Sequence, residues 1–197
     1  MSEKSELRRS IKKQTREQLK EDRWNLVLGD LLVGAASGSS AAGVGIVLTG
    51  PLTFGFNKYA VKAVRKEERN TGDLFGGFSS NFGKYIGLFV LQMVYLCLWT
   101  LLFFIPGIIK SYSYAMSFYL MIDNPELGAK EAITKSRKLM NGHKWELFVL
   151  ELSFIGWILL SILTFGILAI FFVGPWMNLA KAKFYDSIKE QPEVVEE

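Results

Sequence analysis

The chain has 197 residues, half of them hydrophobic and 14% aromatic, with 23 Lys and Arg against 19 Asp and Glu. That length suits one domain, and the apolar share exceeds what a soluble domain of this size uses. A single cysteine, Cys97, excludes an intrachain disulfide, and a lone histidine, His143, without a Cys/His cluster excludes the common zinc patterns.

Charge is unevenly spread. Residues 31–57, 85–109 and 152–180 contain no charged side chain, and about 20 such residues are enough to cross a bilayer as a helix. Residues 1–23 come first. They hold eight basic and five acidic residues and read as a charged cytoplasmic N-terminal helix, solvated and leading into the membrane. A cleaved signal peptide fits less well, because Asp30 interrupts the apolar stretch that follows.

Each uncharged run is too long for one span and contains a break. GSSAAG at 38–43, IPG at 105–107 and TFG at 164–166 read as turns. Three hairpins result, at about 24–66, 84–124 and 144–188, followed by an acidic disordered tail at 189–197. The expected fold is therefore all-α: a polytopic membrane helical bundle of about six spans, built as three repeated hairpins with amphipathic interfacial linkers.

The repeat shows as offsets. Shifting by 59 lays Leu88-Phe89-Val90-Leu91 on Leu147-Phe148-Val149-Leu150 and Gly107 on Gly166, shifting by 121 lays Trp24 on Trp145, and Gly50-Pro51 recurs as Gly174-Pro175. Only Lys110 lies near a hairpin tip. The positive-inside tendency then places both termini and both linkers on the cytoplasmic side.

The first linker carries Phe75, Phe78 and Phe82 at helical spacing. The second contains a helix expected to start at Asn124-Pro125-Glu126 and stop at Asn141-Gly142. It sets Ala129, Ala132, Ile133, Leu139 and Met140 against a basic face of Lys130, Lys135, Arg137 and Lys138. Such a helix suits the anionic inner leaflet, and packing on the protein's own cytosolic side is the alternative. Membrane charge asymmetry accounts for the basic balance without nucleic acid.

Residues 85–157 include LWTLLFFIPGIIKSYSYAMSFYLMIDNPELGAKEAITKSRKLMNGHKWELFVLELSFIGW, with Ile105-Pro106-Gly107-Ile108-Ile109-Lys110, then Tyr112 and Tyr114, then Glu131-Ala132-Ile133 and Ser136-Arg137. Upstream lie Gly50-Pro51-Leu52 and Leu74-Phe75-x-x-Phe78. From about residue 45 to 188 the chain resembles a family of small bacterial integral membrane proteins known as domain of unknown function 975. The resemblance implies a multi-spanning plasma-membrane protein and supplies no reaction, site or cofactor.

Under the offsets, Asp30, Gln92 and Glu151 occupy one level of three equivalent helices. Glu151 lies six residues beyond Trp145, roughly 9 Å along a helix. A charge at that depth should face the bundle. Lys58, Lys181 and Lys183 on the returning helices are candidate counter-charges. Two readings stand: a hydrogen-bonded joint between hairpins, or a cytosol-facing cavity for a cation or proton. A third, acid–base catalysis, lacks a nucleophile or histidine beside the carboxylates. The expected function is a non-enzymatic scaffold or accessory protein that binds lipid or a partner membrane protein, with a small transporter or channel as the alternative. No catalytic residue, metal or cofactor is assigned, and the sequence does not fix the oligomeric state.

Overall fold

Long runs of Leu, Ile, Phe and Val without regular alternation favour helices, which satisfy their own backbone hydrogen bonds. The computed structural model describes residues 3–38, 44–79, 81–102, 104–164 and 166–190, and every element among them is helical. In order these are α1 (Glu3–Gly38), α2 (Val44–Arg65), a short 3₁₀ helix (Thr71–Phe78), α3 (Phe82–Leu102), α4 (Phe104–Tyr114), α5 (Ser117–Asp123), α6 (Ala129–Leu139), α7 (Lys144–Leu152), α8 (Ile155–Leu163), a π turn (Ala169–Val173) and α9 (Gly174–Lys189).

Helix α1 is two helices joined at Asp22, whose φ of −110° and ψ of 16° leave the helical region. The bend is held from outside. The Asp22 carboxylate accepts from Tyr59 Oη at 3.0 Å and from Arg69 Nε at 2.8 Å. The first half of α1 is not simply solvated, as its charge suggests. Ile11, Thr15 and Leu19 recur every fourth residue and are fully buried, so one narrow face docks while the charges fan outward. Trp176 at the start of α9 donates its indole N–H to Thr15 Oγ1 at 3.1 Å.

Helix α2 tolerates Pro51 internally and meets the 3₁₀ helix backbone to backbone. A Cβ on Gly55 would lie 1.9 Å from Leu74 O, and one on Gly77 would lie 2.0 Å from Pro51 O. Only glycine permits that approach. The 3₁₀ helix is started by a reciprocal cap in which Asp73 N–H donates to Asn70 Oδ1 at 3.2 Å and Asn70 N–H donates to Asp73 Oδ2 at 3.1 Å. Leu74 is buried against α2, while Phe75 and Phe78 are exposed and Phe82 already belongs to α3.

Two apolar cores result. One joins α1, α2, α5, α7 and α9 through Leu26, Tyr59, Leu147 and Tyr185. The other joins α3, α5 and α6 through Tyr85, Leu88, Met121 and Ile133. Among the described residues two stretches, Phe82–Leu101 and Lys144–Leu163, are long and apolar enough to cross a membrane, and only 11% and 28% of them is buried inside the molecule. Their outer faces expose Met93, Val94, Leu98, Leu159, Ile162 and Leu163.

Several expected boundaries move. The turn at 38–43 lies largely outside the described residues, as does most of the tail. Ile105-Pro106-Gly107 lies inside α4 rather than in a turn, because proline is tolerated in a first helical turn, where its missing N–H has no partner to lose. Asn124-Pro125-Glu126 does not start a helix. Asn124 ends α5, and α6 starts at Ala129, where the Glu131 carboxylate accepts from Gly128 N–H at 3.1 Å. The expected stops are present at Gly142 and Gly166, with φ of +79° and +80°.

Candidate functional site at the helix breaks

Two helices are interrupted without glycine or proline, between α4 and α5 at Ala115–Met116 and between α7 and α8 at Ser153–Phe154. An interrupted helix leaves carbonyl and N–H groups without intrahelical partners, and in an apolar setting these must be met by side chains.

At the first break, Gln92 of α3 donates Nε2–H to Tyr114 O at 2.9 Å. Ser136 of α6 donates its hydroxyl to Ser113 O at 2.8 Å and accepts from Met116 N–H at 3.2 Å. Ser136 is fully buried, so its single hydroxyl serves two backbone groups of the same break. At the second break, the Lys12 ammonium of α1 donates to Ser153 O at 3.0 Å. It also lies 4.3 Å from the centre of the Phe154 ring and 5.3 Å from that of Trp176, a cation held over aromatic faces.

Glu151 stands two residues before the second break. It accepts from Tyr112 Oη of α4 at 2.6 Å and pairs with Lys181 Nζ of α9 at 2.8 Å. Three helices thus meet on one carboxylate. Asp30 is half-buried and lies over the start of α9, where a Cβ on Gly174 would fall 2.2 Å from its Oδ2. Glycine there admits the carboxylate. Asp30 has no hydrogen-bond or ion-pair partner among the described residues.

The three acidic and amide residues therefore do not share one cluster of contacts. Gln92 serves the α4–α5 break, Glu151 joins α4, α7 and α9, and Asp30 rests on α9 next to the π turn. Of the expected counter-charges, Lys181 meets Glu151. Lys58 turns instead to Asp73 at 3.7 Å. Lys183 makes no ion pair among the described residues. The chain reversal at the 3₁₀ helix explains Lys58, because it brings Asp73 beside α2.

Sequence reasoning missed a larger ionic centre. Arg65 at the end of α2 donates to both oxygens of Asp123 at 2.7 and 3.1 Å, and to Asp186 Oδ1 at 2.7 Å. Tyr185 Oη and Lys189 Nζ also donate to Asp123, at 2.8 and 2.6 Å. The ends of α2, α5 and α9 are tied together there. A signal was available: Arg65 and Asp186 are 121 residues apart, as are the hydrogen-bonded Asn57 and Asn178, which is the offset that relates Trp24 to Trp145.

Arg69 and Asp73 are among the charged groups shifted outside the apolar stretches. The hydrogen bond to Asp22 raises Arg69 above the usual guanidinium range. For Asp73, burial pushes the carboxyl up, but Lys62 at 2.9 Å, the Asn70 N–H and Lys58 outweigh it and hold the group below the ordinary carboxylate range. On α6, Lys130, Lys135, Arg137 and Lys138 are all exposed, while Ala132, Ile133, Ser136 and Met140 are buried. The basic face is real, and the opposite face packs on the protein itself.

Over residues 101–192 the chain matches the model of a family described as protein of unknown function (DUF975), the family that the sequence motifs resemble. The matched stretch holds Tyr112, Asp123, Ser136, Glu151, Lys181 and Asp186, while Lys12, Asp30, Arg65 and Gln92 come from outside it. No curated protein and no solved structure matches the chain.

Proposed function

We propose that this chain is an integral membrane protein of the bacterial plasma membrane and serves as a non-enzymatic scaffold or accessory protein that holds lipid or a partner membrane protein. In this reading the three hairpins give about six spans, with both termini and both linkers on the cytoplasmic side. The observation that carries it is the use of polar side chains. Gln92, Ser136, Lys12 and Glu151 are each taken up by contacts between helices, while the surface of α3 and α8 is left apolar. Groups spent on joints between hairpins are not free to bind a passing solute. The basic face of α6 supplies attraction to an anionic leaflet.

Asp30 favours the second reading, a small transporter or channel, because its carboxylate is half-buried without a partner among the described residues. Reconstitution into proteoliposomes separates the two. The scaffold reading expects no proton or cation flux under a gradient, and loss of assembly when Asp30→Asn and Glu151→Gln are combined. Flux in the parent protein, abolished by that pair of changes without loss of assembly, would replace it with transport.

A further inference from the structure

The exposed side of α6 carries an open groove of about 380 Å³, lined by Leu127, Lys130, Glu131, Thr134, Lys135 and Lys138. Thr134 stands four residues from both Lys130 and Lys138, so the three share one side of the helix. The lysines are exposed and make no ion pair among the described residues. Glu131 does not neutralise them, because its carboxylate accepts from Gly128 N–H at 3.1 Å in the helix cap. Leu127 gives the groove an apolar end. The C-terminal end of α9 sits close by. Lys189 Nζ contacts Asp123 Oδ2 at 2.6 Å, and Asp123 ends α5 four residues ahead of Leu127. Leu127 N–H donates to Asn124 O at 3.0 Å, and that turn keeps the connection short. Residues 191–197, Gln-Pro-Glu-Val-Val-Glu-Glu, continue from this point and lie outside the described residues.

We propose that residues 193–197 of this chain dock on that groove, with Glu193, Glu196 and Glu197 on Lys130, Lys135 and Lys138, and Val194-Val195 toward Leu127 and the Thr134 methyl group. Reach permits it. Seven residues extend up to about 25 Å, while Lys130 and Lys138 are roughly 12 Å apart along the helix. The patterns also match: three carboxylates bracket two valines, and three ammonium groups surround a leucine and a threonine. Each exposed ion pair contributes little alone. The tether adds the rest, because a short connection holds the segment at an effective concentration in the millimolar range. A free acidic peptide lacks that advantage. The docking stands without the membrane reading, and under that reading it adds regulation. The tail and both linkers then share the cytoplasmic side, so the tail and an anionic leaflet compete for the same lysines.

The test is a disulfide across the contact in the purified full chain in detergent, with Cys97→Ser as the background. Thr134→Cys combined with Val195→Cys should form an intrachain bond, and its equilibrium with glutathione gives the effective concentration of the pair. Glu193→Lys, Glu196→Lys and Glu197→Lys together should lower that concentration about tenfold, the combined size of three exposed ion pairs. Adding Lys130→Glu, Lys135→Glu and Lys138→Glu should restore it, because the charges attract again with their signs exchanged. An effective concentration that ignores the tail charges would overturn the proposal, and so would a reversal that the exchange does not rescue. A disulfide that forms only between chains would also overturn it, and would give the groove to a second copy. No lipid takes part, so failure here leaves the membrane reading standing, and failure of the protein to enter a bilayer leaves the docking standing.

Discussion

Arg65 and Asp123 face each other fork to fork, with Nη1 and Nη2 on separate carboxylate oxygens at 2.7 and 3.1 Å. The pair joins α2 to α5, and the same guanidinium reaches Asp186 on α9. Removing Arg65 leaves two carboxylates with side chains only 10% and 12% exposed. Arg65→Ala should therefore destabilise the fold by about 3 kcal/mol, the low end for breaking a buried pair. Adding Asp123→Asn and Asp186→Asn should recover much of the loss, because the repulsion goes with the charges. Thermal unfolding of the three proteins in one detergent measures both effects.

Ser136 bridges the α4–α5 break with one hydroxyl. Ser136→Ala removes the partner of Ser113 O and of Met116 N–H in a fully buried site. The expected cost is about 1–3 kcal/mol. Amide exchange at Met116 should accelerate, while exchange in α9 should change far less.

The glycines offer a paired test. Gly55→Ala drives a methyl into Leu74 O and should cost about 3 kcal/mol by forcing the 3₁₀ helix away from α2. Gly87→Ala meets open space on α3 and should be neutral or stabilise by up to about 1 kcal/mol through helix propensity. Melting temperatures of the two variants should move in opposite directions, or one should not move at all.

Asp73 gives a pH dependence. Its folded carboxyl titrates below the ordinary value, so the unfolded chain binds the proton first as pH falls. The stability it contributes is complete above the unfolded value of about 3.9 and is lost as pH drops through the lower folded value. Asp73→Asn should lower stability near pH 7 by about 1 kcal/mol. The difference from the parent should shrink below pH 4, as followed by unfolding scans from pH 7 to pH 3.

The helical class, the two long apolar stretches and the stops at Gly142 and Gly166 were legible because each depends on local chemistry: run length, apolar content or a positive φ. The breaks at Ala115–Met116 and Ser153–Phe154 were not. Neither carries glycine or proline, and both are held open by Ser136, Gln92 and Lys12, which are distant in sequence. Glu151 was recognisable as needing a partner, and Lys181 was among the candidates. Tyr112 as the second partner was not legible, because its hydroxyl announces nothing in sequence. The docked face of α1 was hidden by charge: Ile11, Thr15 and Leu19 make a stripe too narrow to stand out among eight basic and five acidic residues.

Lys12 reaches a carbonyl 141 residues further along the chain. Together with the Glu151 contacts to Tyr112 and Lys181, it ties the interrupted stretch from Lys144 to Leu163 to helices far from it in sequence. Lys12→Met, which keeps the stem and removes the donor to Ser153 O, should speed amide exchange around Ser153–Phe154, because the first helix acts as a latch on the shape of that stretch.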